Sequence, residues 1–291
     1  MKKVLISLFA ICTVFVVSVQ SQTPVPQTPP RVLRIVREEI KAGMGASHAK
    51  VEAGWPRAFA KAKFPVYYIA MTSMSGPSEA WFVEPNDSFD AIEKGQQEVE
   101  KNPALKSELD RLTEQDGPML SGWRNIIATY NEELSRPRLD PIGQMRYFSV
   151  TTYRVRPGHN PDFTEFRKII KTAHEAAKTG AYFAVYQVAS GAPTGTYLIF
   201  RPLKALRELD TNPTMGKAYQ DALGADNQKK LNDLASAMLL GSESILYAFS
   251  PGMSYVSKEF SGEEAAFWHP KPKIALKPSV KKEEKRAAGT Q

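Results

Sequence analysis

The chain has 291 residues, 42% of them hydrophobic, a formal net charge of +7, one cysteine and four histidines. Most of the charge sits at the ends, in Lys2 and Lys3 and in a Lys/Arg-rich stretch beyond Pro270, so the body between them is near neutral and lacks the clustered basic face that nucleic-acid binding needs. Cys12 falls in the N-terminal apolar run, which excludes disulfides, thiolate metal sites, CxxC redox pairs and a cysteine nucleophile from the body.

Lys2 and Lys3 followed by the apolar run Val4–Val19 predict a signal peptide over 1–21, with cleavage near Ser21–Gln22. The run is shorter than the ~20 residues of a membrane-spanning helix; an uncleaved N-terminal anchor is the alternative. With the signal removed, no transmembrane span is expected, and the protein is exported to a periplasm or secreted. Residues 22–30, with Pro24, Pro26, Pro29 and Pro30, form an extended spacer. At the other end, residues 261–291 are rich in Lys, Pro and Ala and predict a basic disordered tail.

Between these ends the same order of elements occurs twice. Val32–Ile40 and Tyr147–Val155 are strand-like and close on matching turns, Ile40-Lys41-Ala42-Gly43 and Val155-Arg156-Pro157-Gly158. Helices follow over 47–63 and 160–178, the second with a stripe of Phe163, Phe166, Ile169, Ile170 and Ala173 at helical spacing and with Asn160 as its N-cap. Hairpins come next, turning through Ser75-Gly76-Pro77 and Ser190-Gly191-Ala192-Pro193. Helical patterns at 88–100 and 204–210 each lead to Asn-Pro, further helices span 104–116 and 215–235, and a closing strand pair matches Met119-Leu120 to Met238-Leu239. The predicted domains are a first module over 31–134, a linker over 135–143 and a second module over 144–260. The fold class is α+β: two tandem ferredoxin-like βαββαβ modules packed sheet to sheet as a pseudo-dimeric α/β barrel. A monomer satisfies that packing inside one chain, with weak homo-oligomerisation through edge strands or helices left open.

The element order, the Tyr153-Arg154-Val155-Arg156-Pro157-Gly158 strand-to-helix turn and the terminal-strand pattern resemble the dimeric α/β-barrel superfamily. The second half is similar to NIPSNAP-type and antibiotic-biosynthesis-monooxygenase-type domains; the first departs from them with Ala42 in place of the proline. The resemblance covers most of residues 31–255. It implies a barrel and a cavity. The activities it implies range from cofactor-independent oxygenation of quinone-like aromatics to haem handling, with non-enzymatic members as well, so the reaction stays open.

Candidate site residues are few. His48 and His174 lie on helices, and the resemblance implies that a helix histidine could be a haem ligand; a plain helix histidine is the alternative. No cofactor follows from the residues themselves. His159 and His269 read as solvated. No HExxH or HxH motif and no carboxylate–histidine cluster shows metal-ligand spacing, so no metal is expected. Arg37, Glu38 and Glu39 share the first strand, whose alternation places Arg37 and Glu39 either inside the barrel or on a solvated sheet edge; a buried charge would need a partner or ligand. Trp81 and Tyr153 belong to a set of strand aromatics that would line a ligand cavity or simply pack the core. Two readings follow. One is an exported protein that binds a small apolar or aromatic ligand or a partner, without nucleic acid. The other is a monooxygenase-like or haem-related enzyme whose pocket is ringed by Arg37, Glu39, His48, Trp81 and Tyr153.

Overall fold

The computed structural model describes residues 28–270 except 139, 212, 213 and 215. The expected signal peptide, most of the spacer and the tail beyond 270 lie outside the described residues. In chain order the elements are β1 (Val32–Ile40), α1 (Gly45–Glu52), α2 (Gly54–Ala62), β2 (Ile69–Ser73), β3 (Glu79–Asn86), α3 (Phe89–Glu100), α4 (Pro103–Asp116) and β4 (Leu120–Arg136). They continue as β5 (Tyr147–Val155), α5 (Asn160–Ala176), β6 (Phe183–Ser190), β7 (Thr196–Leu203), α6 (Lys217–Met238), β8 (Leu239–Phe249), α7 (Lys258–Ser261) and α8 (Ala265–Trp268).

The architecture is α+β. All eight strands pair antiparallel into one closed barrel in the order β1-β3-β2-β8-β5-β7-β6-β4, with β4 returning to β1. Within each half the order is the same: β4-β1-β3-β2, then β8-β5-β7-β6. The register agrees in detail, because β1 bulges against β4 between Glu39 and Ile40 and β5 bulges against β8 between Arg154 and Val155. The halves join edge to edge through β2 with β8 and β4 with β6, and their inward faces pack against each other inside the barrel, as Trp81 does on Phe200 and Tyr247. Closure pairs the strand edges that two separate sheets would expose.

Strand alternation sorts the residues into layers. Leu33 and Ile35 of β1, Trp81 and Val83 of β3, Phe148 and Val150 of β5 and Tyr247 and Phe249 of β8 fill the barrel. The opposite faces carry the helices: Val155, Tyr197 and Ile199 pack on α5 and α6, and Ala70, Ala80 and Phe82 lie on the helix side of the first half. No helix among the described residues is long and apolar enough to cross a membrane.

Several elements differ from the expectation for local reasons. The helix expected over 47–63 is two, broken at Ala53, because Pro56 has no N–H and its ring would strike the carbonyl of Glu52 in a continuous helix. The stretch 204–210 forms only a short 3-10 turn, Leu206–Leu209. The later helix reaches Met238 but is interrupted at Gly224, whose φ of 73° is open to glycine and strained for other residues. Asn160 is the first helical residue of α5, with His159 in the cap position. Finally, part of the stretch read as tail is packed: Trp268 is 2% exposed and its Nε1 donates to the Gly143 carbonyl at 2.7 Å.

Candidate functional site

Two places combine space with unusual chemistry, and β1 separates them. The inward face of β1 looks into the barrel. At the end where β1 and β5 begin, an apolar cavity of about 340 Å³ is lined by Leu33, Val83, Phe148, Ala184, Tyr186 and Phe200. Segments outside the strands contribute to its wall, Thr28–Pro30 before β1 and Phe260 after β8. The Tyr186 hydroxyl donates to the Pro30 carbonyl at 3.1 Å, and at the rim Arg138 is paired with Asp140 at 2.7 Å and Glu208 at 2.9 Å. The cavity is thus apolar, and its polar neighbours are already bonded to one another.

Elsewhere in the barrel Arg37 faces inward, as the alternation allowed. Its Nε donates to Glu79 Oε2 at 2.6 Å and its guanidinium sits over the Trp81 ring at 5.6 Å. The Tyr247 hydroxyl donates to the other oxygen of Glu79. Burial, with the Glu79 carboxylate beside it, pushes the Tyr247 phenol well above its ordinary range. The network is internally neutralised: one cation, one carboxylate and one phenol. Glu39 lies at a partly exposed position, 3.7 Å from Arg124.

The outward face of β1 carries Glu38, and here three elements converge. His48 and Glu52 lie one turn apart on α1, and Asp116 is the last residue of α4. His48 is 1% exposed, Glu52 and Asp116 3% each. His48 Nε2 lies 2.8 Å from Glu38 Oε2 and 3.7 Å from Asp116 Oδ1. One donor atom from each of Glu38, His48, Glu52 and Asp116 falls within 4.8 Å of all the others. No lysine or arginine pairs with these carboxylates among the described residues. Burial, then the neighbouring Glu38 and Asp116, push the Glu52 carboxyl up to about 9. Burial and Glu38 raise Asp116 to about 6 against the opposing pull of His48. Near neutral pH Glu52 is therefore a protonated acid, a neutral donor inside a carboxylate cluster. A cavity of about 160 Å³ opens beside it, lined by Glu38, Glu52, Trp55, Phe59, Tyr68 and Phe82. The buried Tyr68 hydroxyl there has no partner, and burial together with Glu52 and Glu38 raises its pKa. Trp55 Nε1 lies near the Glu52 carboxyl without closing a hydrogen bond.

The remaining candidates lie apart from both places. Tyr153 faces the helices, packed against Phe163 at 5.6 Å and Phe166 at 6.2 Å. His174 is buried on α5, bonded through Nδ1 to Thr179 Oγ1 at 2.8 Å and tilted on Tyr219. Burial, then Arg136, Arg167 and Arg201, push it down to about 4. None of Arg37, Glu39, His48, Trp81, Tyr153 and His174 lines the 340 Å³ cavity. A haem seated in the barrel cavity finds no histidine ligand in its wall, because neither His48, which is paired with Glu38, nor His174 lines it.

The sequence shows no carboxylate–histidine cluster with metal-ligand spacing and leads to no expected metal, yet the structure gathers such a cluster. Folding builds it from residues far apart in the chain. The one local signal was the i, i+4 spacing of His48 and Glu52, which puts both on one helix face; nothing near Asp116 marks it.

No protein-family model matches the chain, and no curated protein matches it. Solved structures similar to it include a protein from Fusobacterium nucleatum assigned as a monooxygenase, 13% identical, with a TM-score of 0.49 over 77% of this chain and 94% of that one. An anthrone oxidase-like protein is 12% identical, with a TM-score of 0.48 over 78% and 95%. Chlorite dismutase from Candidatus Nitrospira defluvii, solved with imidazole, is 10% identical, with a TM-score of 0.44 over 82% and 97%. No residue role is carried over from them.

Proposed function

We propose that this is an exported protein of two tandem ferredoxin-like modules, of the dimeric α/β-barrel type, that binds a small apolar or aromatic ligand in the mouth of its barrel. The repeated strand order and the matched bulges support the two modules. The observation that carries the binding role is the 340 Å³ cavity, walled by aliphatic and aromatic side chains. Its size is at the small end of the roughly 300–1,000 Å³ typical of ligand sites, which suits a ligand of one or two rings. Binding is favoured over oxygenase chemistry because the charged pair inside the barrel, Arg37 and Glu79, is neutralised within itself instead of facing the cavity. In this reading the protein acts as a monomer, without nucleic acid or haem.

The test is a fluorescence titration with N-phenyl-1-naphthylamine. The wild type is expected to saturate at one probe per chain. Ala184→Phe fills the cavity from β6 and should weaken the probe at least tenfold while leaving the circular dichroism unchanged. A wild type that does not bind, or a variant that binds equally well, overturns the proposal.

A further inference from the structure

We propose that Glu38, His48, Glu52 and Asp116 form a binding site for one divalent first-row transition-metal ion, with an open side toward the adjoining aromatic-lined cavity. The site is separate from the barrel mouth and does not depend on the ligand proposed there.

The spacing of the donors carries the inference. An ion with ligand bonds of ~2.1 Å holds neighbouring donors ~3 Å apart and opposite donors ~4.2 Å apart. His48 Nε2 lies 2.8 Å from Glu38 Oε2 and 3.7 Å from Asp116 Oδ1, and all four donor atoms lie within 4.8 Å of one another. Such a sphere closes with small side-chain shifts. Three carboxyl groups crowd together with no lysine or arginine paired to them among the described residues, Glu52 and Asp116 buried and Glu38 partly so, and ionising all three would set like charges face to face. A divalent cation at their centre removes that repulsion.

Two further observations point to a ligand. Asp116 Oδ1 is buried without a hydrogen-bond partner although it faces the cluster, and the Tyr68 hydroxyl is buried and unpartnered on the wall of the adjoining cavity. Buried polar atoms are rarely left unpaired. A metal accounts for the first. An oxygen ligand on the metal's open side, water or a small oxygen-bearing molecule, would accept from the second.

The fold does not require these residues. The bulges at Glu39/Ile40 and Arg154/Val155 and the helix starts at Gly45 and Asn160 put the two halves in register. At the matching places the second half has Tyr153 for Glu38, Phe163 for His48, Arg167 for Glu52 and Ala235 for Asp116. The same architecture therefore stands on aromatic packing and a buried arginine, and the donors are peculiar to the first half. One imidazole with three carboxylates suits Mn²⁺, Fe²⁺, Co²⁺ or Zn²⁺, since the nitrogen donor disfavours Mg²⁺ and Ca²⁺.

The full chain, stripped with a chelator, is dialysed against Zn²⁺, Mn²⁺ or Co²⁺ and its metal content measured, with thermal melting alongside. One ion per chain, a raised melting temperature and visible ligand-field bands with Co²⁺ are expected. His48→Gln and Asp116→Asn should each weaken uptake at least about tenfold, while His159→Gln, on an exposed turn, should leave it unchanged. Circular dichroism establishes that the variants fold, and if one does not, the other decides. Absence of stoichiometric uptake overturns the site, as does uptake that both cluster variants retain.

Discussion

Replacing Arg37 with methionine should destabilise the barrel by more than any exposed ion pair could account for. Arg37 Nε and Glu79 Oε2 are 2.6 Å apart, and the Glu79 side chain is fully buried against 19% exposure for that of Arg37. At an effective dielectric constant near 20 the gross attraction at that distance is roughly 6 kcal/mol, most of it offset by the desolvation of both ions. Removing the cation alone forfeits the attraction and keeps the desolvation of Glu79, a loss of about 3–5 kcal/mol. In a chain of this size that lowers the melting temperature by about 5–8 °C. Glu79→Gln should cost less, about 1–3 kcal/mol, because the partly exposed Arg37 retains access to water. The double variant should then be more stable than the two losses predict, by 1 kcal/mol or more. Urea denaturation followed by circular dichroism measures all four corners of the cycle. An Arg37→Met variant within about 1 kcal/mol of wild type, or a double variant additive to within about 0.5 kcal/mol, refutes the picture of a desolvated pair.

Three further outcomes are expected. Gly191 has φ 89°, and a Cβ there would run into the Asn125 backbone carbonyl across the β4–β6 seam; Gly191→Ala should cost about 3 kcal/mol and speed hydrogen exchange in β4 and β6, and unchanged exchange counts against it. His174 titrates near 4 when folded and near 6.5 when unfolded, so the unfolded chain takes up the proton first. Its stabilising contribution is therefore complete above pH 6.5 and is lost as pH falls toward 4, by roughly 2 kcal/mol after allowance for solvent screening; His174→Gln should flatten that interval of the melting-temperature profile, and a parallel profile refutes the assignment. Trp268→Ala should cost about 3–5 kcal/mol, because it empties a buried ring site and removes the shorter of the two hydrogen bonds to the Gly143 carbonyl; a melting temperature equal to wild type would show that the C-terminal segment does not support the barrel.

Local pattern made much of this fold legible. Alternation in β1 puts Arg37 and Glu39 on one face but leaves that face either inside the barrel or on a solvated edge; only the fold places Arg37 inward, against Glu79 and Trp81. The stripe on α5 identified Phe163 and Phe166 as core residues. Closure was not legible, because the β2–β8 and β4–β6 seams join strands from opposite halves and leave no mark in either segment alone. Pro56 was the visible cause of the break between α1 and α2, and the apolar pattern running across it concealed its effect. The cluster around His48 was half visible: one helix turn relates His48 to Glu52, whereas Glu38 and Asp116 reach them only through the packing of β1 and α4. Trp268 falls in the predicted tail because lysines and prolines dominate the composition of that segment, although its indole, with Phe260 and Phe267 beside it, packs on the barrel.

The barrel mouth is partly closed by segments outside the strands, Thr28–Pro30 just before β1 and Phe260 after β8. These pieces compete with any guest for the same apolar walls. A ligand that fits beside them binds at its intrinsic strength. One that needs their space binds more weakly, in proportion to the fraction of molecules in which they have swung aside. Cutting back Thr28–Pro30 or loosening the Trp268 anchor that packs on Phe260 therefore changes the apparent affinity for bulky guests without touching a strand residue, so occupancy of the barrel is set by the segments that flank it as well as by the strands that enclose it.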